Sequence, residues 1–215
     1  MALTRDDVVD AAVDLLAEVG LEGLTLRRLA RDLGVSAPTL YWHVADKRAL
    51  LDHVAERLLA DQWRVSPPAP DQDWADWLRD RAVRQYRALV AHRDAARIVA
   101  GNRPTSASLP AVEQVLGTLV DAGFSPADAF SSVQAVGNLV IGSAIEYHAE
   151  RERPSDGPVG PDGHAPAPDA RAYPHLAALA PVLAEHTAAH DHEALFRHGL
   201  DLMITGLRAR LATPA

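Results

Sequence analysis

Between Thr25 and His43 the chain reads TLRRLARDLGVSAPTLYWH. Arg27, Thr39, Tyr41 and His43 fall there among small residues, where a buried helix would carry Leu and Ile. Guanidinium, hydroxyl and imidazole groups in such a setting form hydrogen bonds to base edges and phosphates. Arg27 can grip guanine O6 and N7 with two bonds or take a phosphate, and the sequence leaves both open. Ala37, Pro38 and Thr39 present small apolar surface, and the last two suit thymine methyl groups. Tyr41 and His43 are placed for phosphates, and Lys47 completes that set. Trp42 is expected in the core behind these residues.

Two short helices must position those groups. Thr25 can cap the first, with Leu26, Leu29, Ala30 and Leu33 facing inward. Gly34 makes the turn, and Ser36 caps the second, with Pro38 in its first turn. Upstream, Thr4 and Asp7 open a helix carrying Val8, Ala12, Leu15, Leu16 and Val19, with Gly20 as its stop. Downstream, Asp46 starts a longer helix with an apolar stripe of Leu51, Val54, Ala55, Leu58 and Leu59. This is the layout of a helix-turn-helix, whose second helix enters the DNA major groove.

Bulk properties set the remaining bounds. The chain has 215 residues, a formal charge of −8 and no cysteine, which excludes disulfides and thiolate metal sites. Acids stand where a signal peptide needs a basic end, and the longest near-apolar run, Val133 to Ile145, is too short to span a bilayer. A cytoplasmic protein without membrane contact is expected. From Leu24 to Arg48 five bases face two acids, so the acidity elsewhere confines DNA to one end.

Ser66-Pro-Pro-Ala-Pro70 breaks the chain. Helices are expected near residues 71–92, 95–101, 106–122, 126–152, 174–187 and 191–212, with a Pro-rich loop over 154–174. The fold class is all-α: a three-helix head over 1–48, a connecting helix over 49–65, and a helical ligand-binding and dimerisation domain over 66–215. Small residues Ala135, Gly137, Gly142, Ser143 and Ala144 allow close helix approach. The last helix shows one face of Leu195, Gly199, Leu202, Met203 and Gly206 and another of Phe196, Leu200, Leu207 and Leu211. Two faces on each suggest a four-helix bundle across a two-fold axis.

The stretch GLTLRRLARDLGVSAPTLYWHVADKRALL resembles the head of the TetR family of one-component regulators. TLYWHV with KRALL is similar to the tetracycline-repressor class. The likeness continues through Ala91-His-Arg-Asp94, Gly101-Asn-Arg-Pro-Thr105, Ala122-Gly-Phe-Ser125 and Ala135-Val-Gly137, and weakens past residue 150. It implies a homodimer that reads a palindromic double-stranded DNA operator and is released by a small-molecule effector. It also implies that Arg27 reads the operator, that Ala37 replaces an adenine-reading glutamine, and that Asn102, Arg103 and Pro104 belong to a segment that re-coils with ligand.

The resemblance breaks down on the sensor side. Val99 stands where a histidine holds a magnesium–drug chelate, and Trp63 where another histidine grips the drug. Arg81 replaces an asparagine, Gln85 an aromatic and Val115 a glutamine, while Glu146 matches a carboxylate near the metal's water shell. Val99 offers magnesium no donor, so no metal or cofactor is expected. A pocket of Trp63, Val99, Val112, Val115 and Val133, with Arg81, Gln85, Asn102 and Asn138 as polar points, suits an aromatic molecule with an acid or hydroxyl group. The rival readings are an enzyme or metal-binding protein using His186 and His190, and a helical adaptor. No catalytic motif supports an enzyme.

Overall fold

The computed structural model describes residues 3–60, 66–101, 106, 108–152, 169–179, 182 and 192–212, and the regular elements among them are all helical. Helix α1 (Arg5–Gly23) begins with a reciprocal cap: Thr4 Oγ1 accepts the Asp7 N–H, and the Asp7 carboxylate accepts the Thr4 N–H at 2.8 Å. Helices α2 (Leu26–Asp32), α3 (Ala37–Tyr41) and α4 (Lys47–Leu58) are capped by Thr25, Ser36 and Asp46, as their spacing implies. Gly34 joins α2 to α3 at φ +67°, a value that glycine adopts without steric cost. Val8, Ala12, Leu16, Leu29, Leu40, Leu50 and Val54 close the head's core.

The body holds α5 (Trp74–Ala91), α6 (Ala95–Val99), α7 (Leu109–Asp121), α8 (Pro126–Arg151) and α9 (His192–Ala212), and residues 174–179 are also helical. Helix α7 starts later than the expected residue 106, because Pro110 has no N–H for a helical hydrogen bond and so is confined to the first turn. Helix α8 runs through the middle, packed against α5, α6, α7 and α9. Tyr86 of α5 stacks on Phe196 of α9 with centroids 4.4 Å apart. Around that stack, ion pairs hold α9 in register: Arg79–Asp201 at 2.8 Å, Arg87–Glu193 at 2.7 Å, Arg208–Asp73 at 2.6 Å and Arg210–Asp128 at 2.6 Å. Each is solvent-facing and worth little alone, so their role is alignment.

Head and body meet at a break in α1. Gly20 takes φ +69°, which turns the next peptide out of the helix. The freed Leu21 N–H donates to Asp94 Oδ2 at 2.8 Å, and Lys47 Nζ donates to the Leu21 carbonyl at 3.1 Å. Asp94 stands at the N-cap position of α6, yet its side chain caps nothing there and its backbone is left-handed at φ 61°. Its carboxylate is spent on Leu21 and on Arg97, whose other end reaches Glu22 at 2.9 Å. A Cβ at Gly20 would lie 3.1 Å from that carboxylate, so the position requires glycine on two counts. Arg48 of α4 adds a bond to the Gly101 carbonyl at 2.7 Å.

The α9 clamp is pH-sensitive. Arg87 holds the Glu193 carboxyl below its usual 4.5, and Ser125 followed by Arg210 holds Asp128 below its usual 3.8. Groups depressed on folding contribute stability above their unfolded pKa and lose it as the pH falls through the folded value. Thermal melts between about pH 6 and about pH 3 should therefore fall more steeply for the wild type than for Glu193→Gln. Parallel curves would show that the clamp does not contribute.

Candidate nucleic-acid interface and ligand site

Because α3 is only five residues long, one inward residue, Leu40, anchors it, and the rest of its surface is left to face outward. Ala37, Pro38 and Tyr41 are exposed, and Thr39 and His43 are half-buried. Arg27, on the second residue of α2, is exposed, with no hydrogen bond or ion pair among the described residues. Lys47 opens α4 half-buried, with its ammonium on the Leu21 carbonyl, so the sequence's phosphate candidate also ties the head together. Arg28 is held by Glu18 at 2.9 Å and Asp32 at 3.4 Å. The positive charge counted along this stretch is thus partly neutralised from within.

Trp42 overturns one expectation. It is 86% exposed, not in the core. The physical reason is the helical period: a residue two places beyond Leu40 lies about 200° round the helix axis, on the opposite side from the core. Tyr41, at 57% exposed, stands beside it, so the end of α3 carries two solvent-facing aromatics. An indole and a phenol facing outward at the end of α3 make a surface built to be covered.

In the body, Val99 and Val115 are buried, while Val112, Val133, Arg81 and Gln85 are half-buried. Burial, with a smaller contribution from neighbouring Arg84, lowers the Arg81 guanidinium to about 10, so it stays charged at neutral pH although poorly solvated. Asn138 and Glu146 come together elsewhere. They line a cavity of about 430 Å³ between α8 and α9, with Leu139, Gly142, Ser143, His192, Leu195 and Phe196. Trp63, Asn102, Arg103 and Pro104 lie outside the described residues, as do His186 and His190. Among the described residues no three His, Asp or Glu side chains are grouped to hold a metal ion, and no helix is long and apolar enough to cross a membrane. Sequence reasoning missed the partnership of Asp94 with Leu21, for which the only signal was an Asp ahead of a helix that the Asp does not cap.

The chain matches two family profiles: "Bacterial regulatory proteins, tetR family" over residues 8–54, and "Tetracyclin repressor-like, C-terminal domain" over residues 66–211. It is 37% identical to the class D tetracycline repressor protein of Escherichia coli over 212 residues, covering 97% of this chain and 91% of that one. Among solved structures it resembles the class A repressor in complex with 5a,6-anhydrotetracycline and magnesium, with a TM-score of 0.70 and 33% identity over 96% of this chain and 99% of that one. It also resembles ActR of Streptomyces coelicolor in complex with actinorhodin, with a TM-score of 0.84 and 28% identity over 99% of this chain and 100% of that one. These relatives are regulators; none is an adaptor or an enzyme.

The exposure of Trp42 has a direct consequence. Trp42→Ala should leave stability within about 0.5 kcal/mol of wild type, as for other surface changes. Leu40→Ala, two residues earlier, should cost about 2–5 kcal/mol because it empties the core under α3. Denaturant titration of both variants checks this, and a large loss for Trp42→Ala would return that ring to the core.

Proposed function

The chain belongs to the TetR family of transcriptional regulators, and we propose that it acts as a homodimeric repressor whose α2 and α3 read a palindromic operator. It is a ligand-responsive regulator by family. The observation that best supports the reading mode is Arg27, an exposed guanidinium with no partner among the described residues, on the helix that precedes the outward-facing Tyr41 and Trp42 of the α3 end. Pro38 and Thr39 serve thymine methyls, and Tyr41, His43 and Lys47 serve phosphates. The division proposed is a head over 1–48, a connecting segment over 49–65 that takes in most of α4, and a sensor body over 66–215. A cytoplasmic regulator without catalytic activity fits this assignment.

Dimerisation is supported by faces left over after the chain has folded. Along α8, Phe130, Gln134, Asn138, Gly142 and Glu146 recur every four residues and are all exposed. On α9, Phe196, Leu200 and Ile204 are buried within the chain, whereas Leu195, Leu202 and Gly206 face out. A Cβ at Gly142 or Gly206 would meet nothing within 4 Å, so these glycines permit no close approach inside this chain and suit one from a second copy. Such a seam across a two-fold axis is self-complementary.

For the effector, we propose a largely apolar aromatic molecule bearing an acidic or hydroxyl group. Related structures hold different small molecules in one fold, anhydrotetracycline with magnesium in one and actinorhodin in another. Here Val99 is apolar and buried, which gives magnesium no ligand at that wall. Arg81, charged in a poorly solvated setting, would pair with an anionic group through charge-assisted bonds. Asn102, Arg103 and Pro104 are assigned to the ligand-responsive segment that follows α6, and Gln85, Val112, Val115, Val133 and Trp63 to the sensor's lining, whereas Asn138 and Glu146 face α9 instead.

A gel shift with the DNA adjoining the protein's own gene tests the assignment. Wild type should bind it in preference to unrelated duplex, and equal binding to both would contradict the operator reading. Arg27→Ala should cost about 1–3 kcal/mol and relax preference at one base pair. Tetracycline with magnesium should fail to release the complex, and release that EDTA abolishes would overturn the metal-free sensor. Gly142→Arg should give monomers in sedimentation, because it sets a large charge in a close-packed seam; an unchanged dimer would place the interface elsewhere.

A further inference from the structure

We propose that Arg5, the first residue of α1, is a second uncommitted cation of the DNA-facing surface and takes a backbone phosphate beside the C-terminal end of α3. The inference rests on the DNA-reading assignment above and adds a contact to it. Arg5 is exposed, and its Nε donates to the His43 carbonyl at 3.0 Å. That bond ties the start of α1 to the residue just past Trp42, across 38 positions of sequence. A guanidinium offers five N–H donors, and one of Arg5's is used here, so its terminal nitrogens remain available for an anion.

The charge pairing within the head singles Arg5 out. Arg28 is matched by Glu18 and Asp32, and Arg31 by Asp32. Arg48 is matched by Asp52, and Arg57 by Asp6 and Asp10. Lys47 rests on a carbonyl. Among the described arginines of the head, only Arg5 and Arg27 have no carboxylate partner. The acids nearest Arg5 in sequence are committed elsewhere: Asp6 and Asp10 to Arg57, and Asp7 to the Thr4 N–H and hydroxyl. A cation fixed by its own main-chain bond loses little side-chain freedom when an anion arrives. A phosphate running past Tyr41 and His43 is the anion that a duplex seated on α3 would bring.

Salt dependence separates this role from a structural one. Each neutralised phosphate contributes about 0.9 to the slope of log K against log salt. On both the adjoining DNA and a mixed-sequence duplex, Arg5→Ala should lower the slope of the full-length protein by about one unit. Affinity should then fall about fourfold less between 50 and 200 mM salt. Arg5→Lys should keep the wild-type slope, and Arg28→Ala, whose charge is already paired, should keep it too. An unchanged slope in Arg5→Ala, an equal drop in Arg28→Ala, or a shift in base preference instead of slope would each overturn the proposal. A wild type that binds neither duplex would overturn the DNA reading itself.

Discussion

One carboxylate organises the junction on which the rest of this molecule depends. Asp94 is almost fully buried and sits on left-handed backbone, which is costly for a residue with a side chain. A buried carboxylate persists only where hydrogen bonds and opposite charge replace its hydration. The Leu21 N–H and Arg97 supply both. Satisfying Asp94 in turn demands that α1 break at Gly20, because only a peptide turned out of the helix has a free N–H to offer. The carbonyl of the same residue accepts Lys47. One residue of α1 therefore bonds the body through its N–H and α4 through its C=O, and the orientation of the reading surface on the body is fixed there.

That geometry suits a regulator better than a passive DNA binder. The head carries few uncommitted charges, so its hold on DNA depends on where it is placed more than on bulk attraction. The body presents its unspent surface on α8 and α9, away from the packing that α9 makes with α5 through the Tyr86–Phe196 stack. A second copy on that surface would set two heads at a fixed separation, and half-sites one helical turn apart tolerate little change in it. Arg48 on the Gly101 carbonyl makes the end of α6 a second point at which a change in the sensor would reach α4.

Much of this was legible from residue types and spacing. Thr4, Thr25, Ser36 and Asp46 cap the helices they precede, because a short oxygen-bearing side chain ahead of an apolar repeat has few other uses. The two faces of α9 could also be read from period alone. Trp42 defies the usual association of an aromatic ring with the core because it lies about 200° round the helix from Leu40. The role of Asp94 is illegible for a different reason: its position ahead of α6 is that of an ordinary helix cap, whereas its bond runs 73 residues back to Leu21. Contacts of that range leave no periodic trace. The sensor is intermediate, since the sequence named Asn138 and Glu146 but could not show that they face α9 rather than Val99 and Val115.

The measurement that bears most directly on this arrangement is an operator titration of Asp94→Ala beside Asp94→Asn, with helical content monitored in both. Removing the acceptor strands the Leu21 N–H, a loss of about 1–3 kcal/mol at the junction. The alanine variant should keep its helices and lose operator affinity several-fold. The asparagine variant, which retains an oxygen for Leu21, should recover part of it. Wild-type affinity in Asp94→Ala, with the head folded, would show that the Leu21 peptide does not hold the reading surface in place.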